Sequence, residues 1–403
     1  MIEWAAPLLF AAAGFLYDKP INERKQIDTI FNRFGYGVKK GDNIQYPSFK
    51  RKESIIGEGG YVGMRYKYSV PLGLSASRIK DVEEKLALFR DGLRKPVRVY
   101  FDGYLLNIEV YDQDLPTQVA HTLKAKKWSV PLGQSLTGTY WHDFDKTPHA
   151  TVAGTTRFGK TVFLKNVTTA LTEENPDDIE LYFIDLKGGL SFARYRDLKQ
   201  VKAVAEDPMQ AYDVLQDLVS LMYVEQRHFL KNKWENIVDT DYKKRRFIVV
   251  DEGAQLCPDK GMSPEVKKIM HACMDMLSEI ARVAGALGYR LIYATQYPTA
   301  DTLPRQIKQN ADLKVTFRLP SGYASDVAID DRGAEELPSG IPGRAIIKTH
   351  EKTLVQVPYI SSDEMYDRLK QWEVVESDNN PRDVAPTDRG DTLDFGEFKI
   401  RHD

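Results

Sequence analysis

Eight consecutive residues, Gly154-Thr155-Thr156-Arg157-Phe158-Gly159-Lys160-Thr161, fit the pattern G-x-x-x-x-G-K-S/T. Such a loop holds a nucleotide's phosphates when it joins a strand to a helix. Backbone N–H groups of residues 154–161 and of the first helical turn would cradle the anion. Lys160 would place a point charge on the β- and γ-phosphates, and the Thr161 hydroxyl would ligate Mg2+. The flanks supply the context, an apolar run Ala150–Ala153 before the loop and a helical pattern Val162–Leu171 after it.

A second pattern, Phe247-Ile248-Val249-Val250-Asp251-Glu252, ends a buried apolar strand in paired carboxylates. Asp251 is expected to face Mg2+ and its waters, and Glu252 to polarise an attacking water as general base. Alone this is an ordinary strand end; the phosphate loop upstream gives it meaning. Two further strand ends fit the same site. Gln296, after Ala294-Thr295, is placed to sense a γ-phosphate or to position water. Asp185 and Lys187 either shape their own turn or couple nucleotide state to a substrate loop. In α/β sheets ligands bind at the carboxyl ends of strands, so four polar strand ends form a coherent set.

The elements that carry these residues alternate. From His149 onward, short β-rich runs (150–153, 179–186, 247–250, 290–294, 313–319) are separated by helical stretches, which indicates a mostly parallel α/β sheet. The clearest helix is Pro264–Leu287: Ser263 as N-cap, Pro264 at N1, an apolar stripe from Val266 through Met270, Cys273, Leu277 and Ile280 to Ala284, and Gly288 as the stop. Upstream, Tyr61–Val70, Val97–Phe101 and Leu105–Tyr111 read as strands and Ser77–Gly92 as an amphipathic helix. They form a small α+β lobe assigned to residues 61–130, with the boundary in Val130–Pro148.

The chain has 403 residues, 42% apolar and 28% charged, which excludes wholesale disorder, a fibre and a polytopic membrane protein. Its two cysteines, Cys257 and Cys273, carry no metal or disulfide spacing, and Cys273 reads as a core residue in a reducing compartment. Residues 4–17 form an uncharged apolar segment, shorter than a spanning helix. It suits a membrane anchor, a partner-packed helix or a buried element. Nine Lys/Arg against three Asp/Glu follow between Lys19 and Lys52. That flank places the bulk of the chain in the cytoplasm, anchored at the inner membrane face under the first reading; the same cations also suit DNA phosphates. Residues 19–60 are assigned as a basic linker. Residues 361–403, with twelve acidic against six basic, are assigned as an acidic, mostly disordered tail. The formal charge of −2 is thus a cancellation between opposed ends, and it does not exclude a nucleic-acid partner. The run Lys243-Lys244-Arg245-Arg246 reads as a solvated strand flank in preference to a DNA contact.

Taken together, these residues resemble the FtsK/SpoIIIE-type DNA translocases, the conjugative coupling-protein branch included. The resemblance rests on Val130-Pro131-Leu132-Gly133, Pro148-His149 with the phosphate loop, Asp185-Leu186-Lys187, Val249-Val250-Asp251-Glu252, Ala294-Thr295-Gln296-Tyr297-Pro298, Ile307-Lys308-Gln309-Asn310 and Gly333-Ala334-Glu335, in the family's order, between about residues 70 and 350. It implies a RecA-like P-loop NTPase motor over residues 131–360, preceded by the small α+β lobe. It implies ATP and Mg2+ as cofactors, a homo-hexameric ring, and double-stranded DNA as the partner that is moved during transfer, segregation or processing. Arg157-Phe158 stand where many members have Gly-Ser, and no arginine aligns cleanly as a finger; Arg282 and Arg318 are the candidates. Related secretion motors that move protein share the fold, which makes them the alternative. A non-catalytic scaffold is opposed by the intact Lys160, Thr161, Asp251 and Glu252.

Overall fold

The computed structural model describes residues 22–74, 86–102 and 104–374. The apolar segment 4–17 and most of the helix expected at Ser77–Gly92 lie outside the described residues. The described residues fall into two compact units, one of residues up to 115 with 136–138, the other of 116–135 with residues from 139 onward.

The first unit holds helix α1 (Glu23–Arg33), hairpin β1 (Val38–Lys40) and β2 (Asn43–Gln45), strands β3 (Ser48–Gly57) and β4 (Gly60–Ser69), helix α2 (Leu86–Leu93), and strands β5 (Val97–Asp102) and β6 (Leu105–Tyr111). Its antiparallel sheet runs β3-β4-β6-β5. Ile27, Ile30 and Phe31 of α1 pack on Tyr66, Tyr68, Leu106 and Ile108 of the sheet and on Phe89 of α2. The expected basic linker is therefore corrected, because residues 23–57 are folded. Three apolar residues at helical spacing suffice to dock α1, and a count of charges conceals them. The surplus cations lie on the surface, where Lys50, Arg51 and Lys52 are exposed on the edge strand β3.

The second unit holds β7 (Ser129–Ser135), β8 (Gly138–Asp143), β9 (Ala150–Ala153), α3 (Lys160–Glu174), β10 (Ile179–Ile184), β11 (Val201–Ala205), α4 (Pro208–Asn232), β12 (Arg245–Val250), α5 (Pro264–Val283), β13 (Tyr289–Thr295), α6 (Arg305–Asn310), β14 (Leu313–Phe317), α7 (Gly322–Ile329), β15 (Arg344–Lys348), β16 (Lys352–Gln356) and α8 (Ser362–Leu369). The ten-stranded sheet runs β11-β10-β12-β13-β9-β14-β15-β16-β7-β8. Pairings from β11 through β14 are parallel. From β14 to β7 they are antiparallel.

Layers explain the strand sequences. Along β12, Phe247 and Val249 face one core, shared with Phe163 and Val167 of α3. Ile248 and Val250 face the other, shared with α4 and α5. A strand covered on both sides has no polar alternation to show, hence the continuous apolar run. Helix α5 follows its sequence reading. The Ser263 hydroxyl accepts the Val266 N–H at 3.3 Å, Met270, Cys273, Leu277 and Ile280 are buried, and a 3-10 turn Ala284–Leu287 completes the element.

One assignment at a strand end changes, in the run Lys243–Arg246. Arg245 and Arg246 are buried rather than solvated. Arg246 reaches Glu225 at 2.7 Å and Glu180 at 2.9 Å. Asp145 receives Arg245 at 2.8 Å and Arg290 at 2.7 Å. Burial on its own would raise the Asp145 carboxyl, but the two guanidinium groups outweigh it and hold it below the usual carboxylate range. Their partners come from elements far away in sequence, which no local pattern shows. Asp145→Ala is expected to cost the motor unit about 3–5 kcal/mol, because two largely buried guanidinium groups lose their shared counter-ion. Urea unfolding followed by circular dichroism measures it; a loss below about 1 kcal/mol would mean the cluster contributes no more than an exposed pair. The tail assignment changes too. Helix α8 is folded, and its Arg368 pairs with Glu173 of α3, so only residues from 375 onward lie outside the described part.

Candidate functional site

Strand β9 lies inside the parallel part of the sheet, and the phosphate loop leaves its carboxyl end. The Gly154 N–H donates to the Thr295 carbonyl at 3.2 Å, and the Thr155 N–H and hydroxyl donate to the Arg318 carbonyl at 3.2 and 3.0 Å. These bonds tie the loop to both neighbouring strands. A Cβ at Gly154 would approach the Phe317 Cβ to 2.7 Å. Gly159 adopts φ +116°, and a Cβ there would lie 3.1 Å from Gly343. Both pattern glycines are thus required by shape before any ligand is considered. Helix α3 then starts at Lys160 with no side-chain cap on its N-terminus. Its first N–H groups are left for an anion.

Thr155, Thr156, Arg157, Gly159, Lys160 and Thr161 line one cavity of about 500 Å3. Asp251, Gln296 and Lys187 line the same cavity. Topology explains the convergence, since β10, β12, β13 and β9 are parallel and deliver their carboxyl ends to one edge. Gly154 and Phe158, expected with the loop, are absent from the lining. Gly154 is buried, and Phe158 packs on the hydrophobic core while its carbonyl accepts the Gly343 N–H at 2.9 Å.

Opposed charges organise the interior. Lys160 is only 5% exposed, and its Nζ donates to the Asp251 carbonyl and lies 3.1 Å from Asp251 Oδ1. Lys187 Nζ lies 3.4 Å from Asp251 Oδ2, and the Ser191 hydroxyl donates to the same oxygen at 3.3 Å. Burial acts to raise the Asp251 carboxyl, yet Lys160 and Lys187 prevail and keep it below the ordinary range. Asp251 is therefore ionised at neutral pH. Glu252 Oε1 accepts the Thr295 hydroxyl at 3.1 Å and the Gln296 N–H at 3.0 Å. Its Oε2 is buried with no hydrogen-bond partner, 3.6 Å from Lys187 and 3.9 Å from Lys160. One oxygen is anchored and the other retains free lone pairs beside two cations.

Asp185 shapes its turn. It is fully buried and accepts the Ser191 N–H at 2.7 Å. Arg282 is exposed and paired with Glu279, and the Arg318 guanidinium donates to the Leu337 carbonyl. Sequence reasoning missed Ser191 and the far wall of the cavity, formed by residues 117–119, 342–343 and 356–359. Those segments carry no recognisable pattern.

Comparison with known proteins gives the same picture. Residues 120–257 match the FtsK/SpoIIIE family. A DNA translocase FtsK of Streptococcus pneumoniae is 28% identical over 299 residues, 68% of this chain and 38% of that protein. One from Streptococcus pyogenes is 26% identical over 421 residues, 95% of this chain and 48% of that protein. The chain thus spans less than half the length of these relatives. Among solved structures, the pCW3 conjugation coupling protein TcpA in monomer form with ATPγS aligns with a TM-score of 0.61 at 21% identity, covering 87% of this chain and 99% of that one. The cytoplasmic domain of the Thermomonospora curvata type VII secretion ATPase EccC aligns at 0.52 and 19%, covering 68% and 35%. The resemblance to FtsK/SpoIIIE proteins is borne out, and the fold is that of a P-loop ATPase motor.

Proposed function

We propose that this FtsK/SpoIIIE-type P-loop motor hydrolyses ATP and couples the cycle to movement of double-stranded DNA, as a homo-hexameric ring. The observation that carries the ATPase reading is the single cavity in which the phosphate loop, Asp251, Gln296 and Lys187 meet, with Glu252 anchored beside it. The DNA reading rests on the FtsK relatives named above.

The residues present suit Mg2+. Among the described residues no group of three or more His, Cys, Asp or Glu could hold an ion. An ion here therefore depends on phosphate oxygens, which is how Mg2+ is commonly bound. Thr161 and Asp251 would be the protein's share, and Mg2+ would neutralise charge developing on the β- and γ-oxygens. Lys160 exchanges its contact with Asp251 for the phosphates. Glu252, held by Thr295 and the Gln296 N–H, presents Oε2 to a water and takes its proton as the water attacks the γ-phosphorus, the bond from that phosphorus to the β,γ-bridging oxygen breaks, and ADP leaves with inorganic phosphate as the other product. The Gln296 side chain positions that water. Arg282 or Arg318 would serve a neighbouring subunit as the finger. No described helix is long and apolar enough to cross a membrane; residues 4–17 remain the proposed membrane contact of an otherwise cytoplasmic chain, with a recruiter protein as a further proposed partner.

ATPase activity of the full chain is expected to rise several-fold with double-stranded DNA and to lose that stimulation between roughly 50 and 200 mM salt, because phosphate contacts dominate such binding. Activity indifferent to DNA at low salt would remove the DNA reading. Stimulation by a secreted peptide instead would favour the alternative protein-moving motor.

A further inference from the structure

Large apolar side chains of the first unit face water at one end of its sheet. Ser69, at the end of β4, registers with Ser48 at the start of β3 and with Leu105 at the start of β6. Segment 70–74 and the β5–β6 turn therefore leave the sheet at the same end. Hairpin β1–β2 lies there too, since a Cβ on Gly73 would stand 3.6 Å from Val38 Cγ1. Helix α1 leads into the hairpin, with the Tyr36 N–H donating to the Phe31 carbonyl at 3.0 Å. From these elements project Leu72, 98% exposed, and Tyr104, 93% exposed; Phe34 and Ile44 are exposed as well. All three residues of β2 are exposed, so the hairpin offers both faces to solvent.

The same end carries cations without counter-ions. Arg33, Lys39, Lys40 and Lys50 are exposed and pair with no carboxylate among the described residues. Farther along the sheet, by contrast, Glu53 engages both Arg51 and Lys67. The exposed Asp42 and Asp102 offset part of this charge and leave a local positive excess. Lys39 lies directly across the hairpin from Ile44, so charge and apolar surface are interleaved. Exposed apolar groups rimmed by polar ones mark an interaction surface. Duplex DNA matches the cations but gives Leu72 and Ile44 no apolar contact. An anionic lipid surface takes both: aliphatic side chains enter the acyl boundary, a tyrosine sits at headgroup level, and lysines meet the headgroup charge. A second attachment also answers a shortfall in the sequence. Residues 4–17 are too short to span a bilayer, and stable anchoring without a span takes two signals.

We propose that this end of the first unit docks on an anionic lipid surface, with Leu72 and Tyr104 inserted and Lys39 and Lys40 on the headgroups. The contact belongs to the folded unit and is separable from residues 4–17, which every variant below retains. Sedimentation of the full chain is measured with vesicles of phosphatidylcholine alone and of phosphatidylcholine with phosphatidylserine. Leu72→Ser with Tyr104→Ser is expected to weaken binding to the serine-containing vesicles about tenfold. Lys39→Gln with Lys40→Gln is expected to weaken it about tenfold on those vesicles and to leave phosphatidylcholine binding unchanged. Unchanged melting curves show that these exposed substitutions preserve the fold. Wild type that ignores serine-containing vesicles, or a Leu72/Tyr104 pair variant that binds them as wild type does, overturns the proposal. A Lys39/Lys40 pair variant that loses affinity for a short DNA duplex but keeps its vesicle affinity assigns the cations to DNA and overturns it. So does a Leu72/Tyr104 pair variant that loses self-association in sedimentation velocity with vesicle binding intact, which assigns the apolar tips to a second copy of the chain.

Discussion

Lys160→Ala is expected to lower kcat/KM for ATP by about 10²–10³-fold and to abolish measurable nucleotide binding at micromolar concentrations, as loss of one preorganised charge at a transferring phosphoryl group does. Lys160 is buried at the mouth of α3 and bonded to Asp251, so its position is set before ligand arrives. Lys187 cannot replace it, because it approaches from β10 and engages Asp251 through the other oxygen. The substitution also leaves Asp251 and Glu252 with one neighbouring ammonium instead of two. Some loss of thermal stability should accompany it, and a melting curve separates that loss from the binding defect. A variant that melts cooperatively and still binds ATP within threefold of wild type would refute the role.

Glu252→Gln is expected to separate binding from turnover. The anchored oxygen can persist as an amide oxygen accepting from Thr295 and the Gln296 N–H. The free oxygen becomes an NH2 group that cannot accept a proton. ATP affinity should stay within a few-fold of wild type while single-turnover hydrolysis falls about 10²–10⁴-fold. Residual turnover above one tenth of wild type would exclude Glu252 as the base. The variant should hold ATP for long periods, which makes it the state in which to test for the proposed ring and DNA binding.

The phosphate loop, the carboxylate pair and the parallel strands were legible because each is a local pattern. Gly154 and Gly159 are demanded by contacts to Phe317 and Gly343, yet the demand appears in the sequence only as two glycines in a known spacing. The strands of the second unit announced themselves as short apolar runs because both faces are covered. The folded part of residues 23–57 did not, since three apolar anchors sit among many cations. Residues 361–374 were hidden for the same reason: α8 docks through Arg368 and Glu173, and its charges resembled those of the tail beyond it.

By itself, then, the sequence determined the chemistry of the phosphate end and the alternation of strands and helices that carries it. Spacing along the chain dictates which N–H groups, hydroxyls and carboxylates share one strand or one turn. Tertiary structure alone decided what meets across the chain. Asp145 satisfies two arginines that lie 100 and 145 residues later. Val119 and Tyr359 close the cavity through one backbone bond. Such contacts arise from sheet order and from the burial of charge against distant partners, and neither leaves a period or a motif in the sequence.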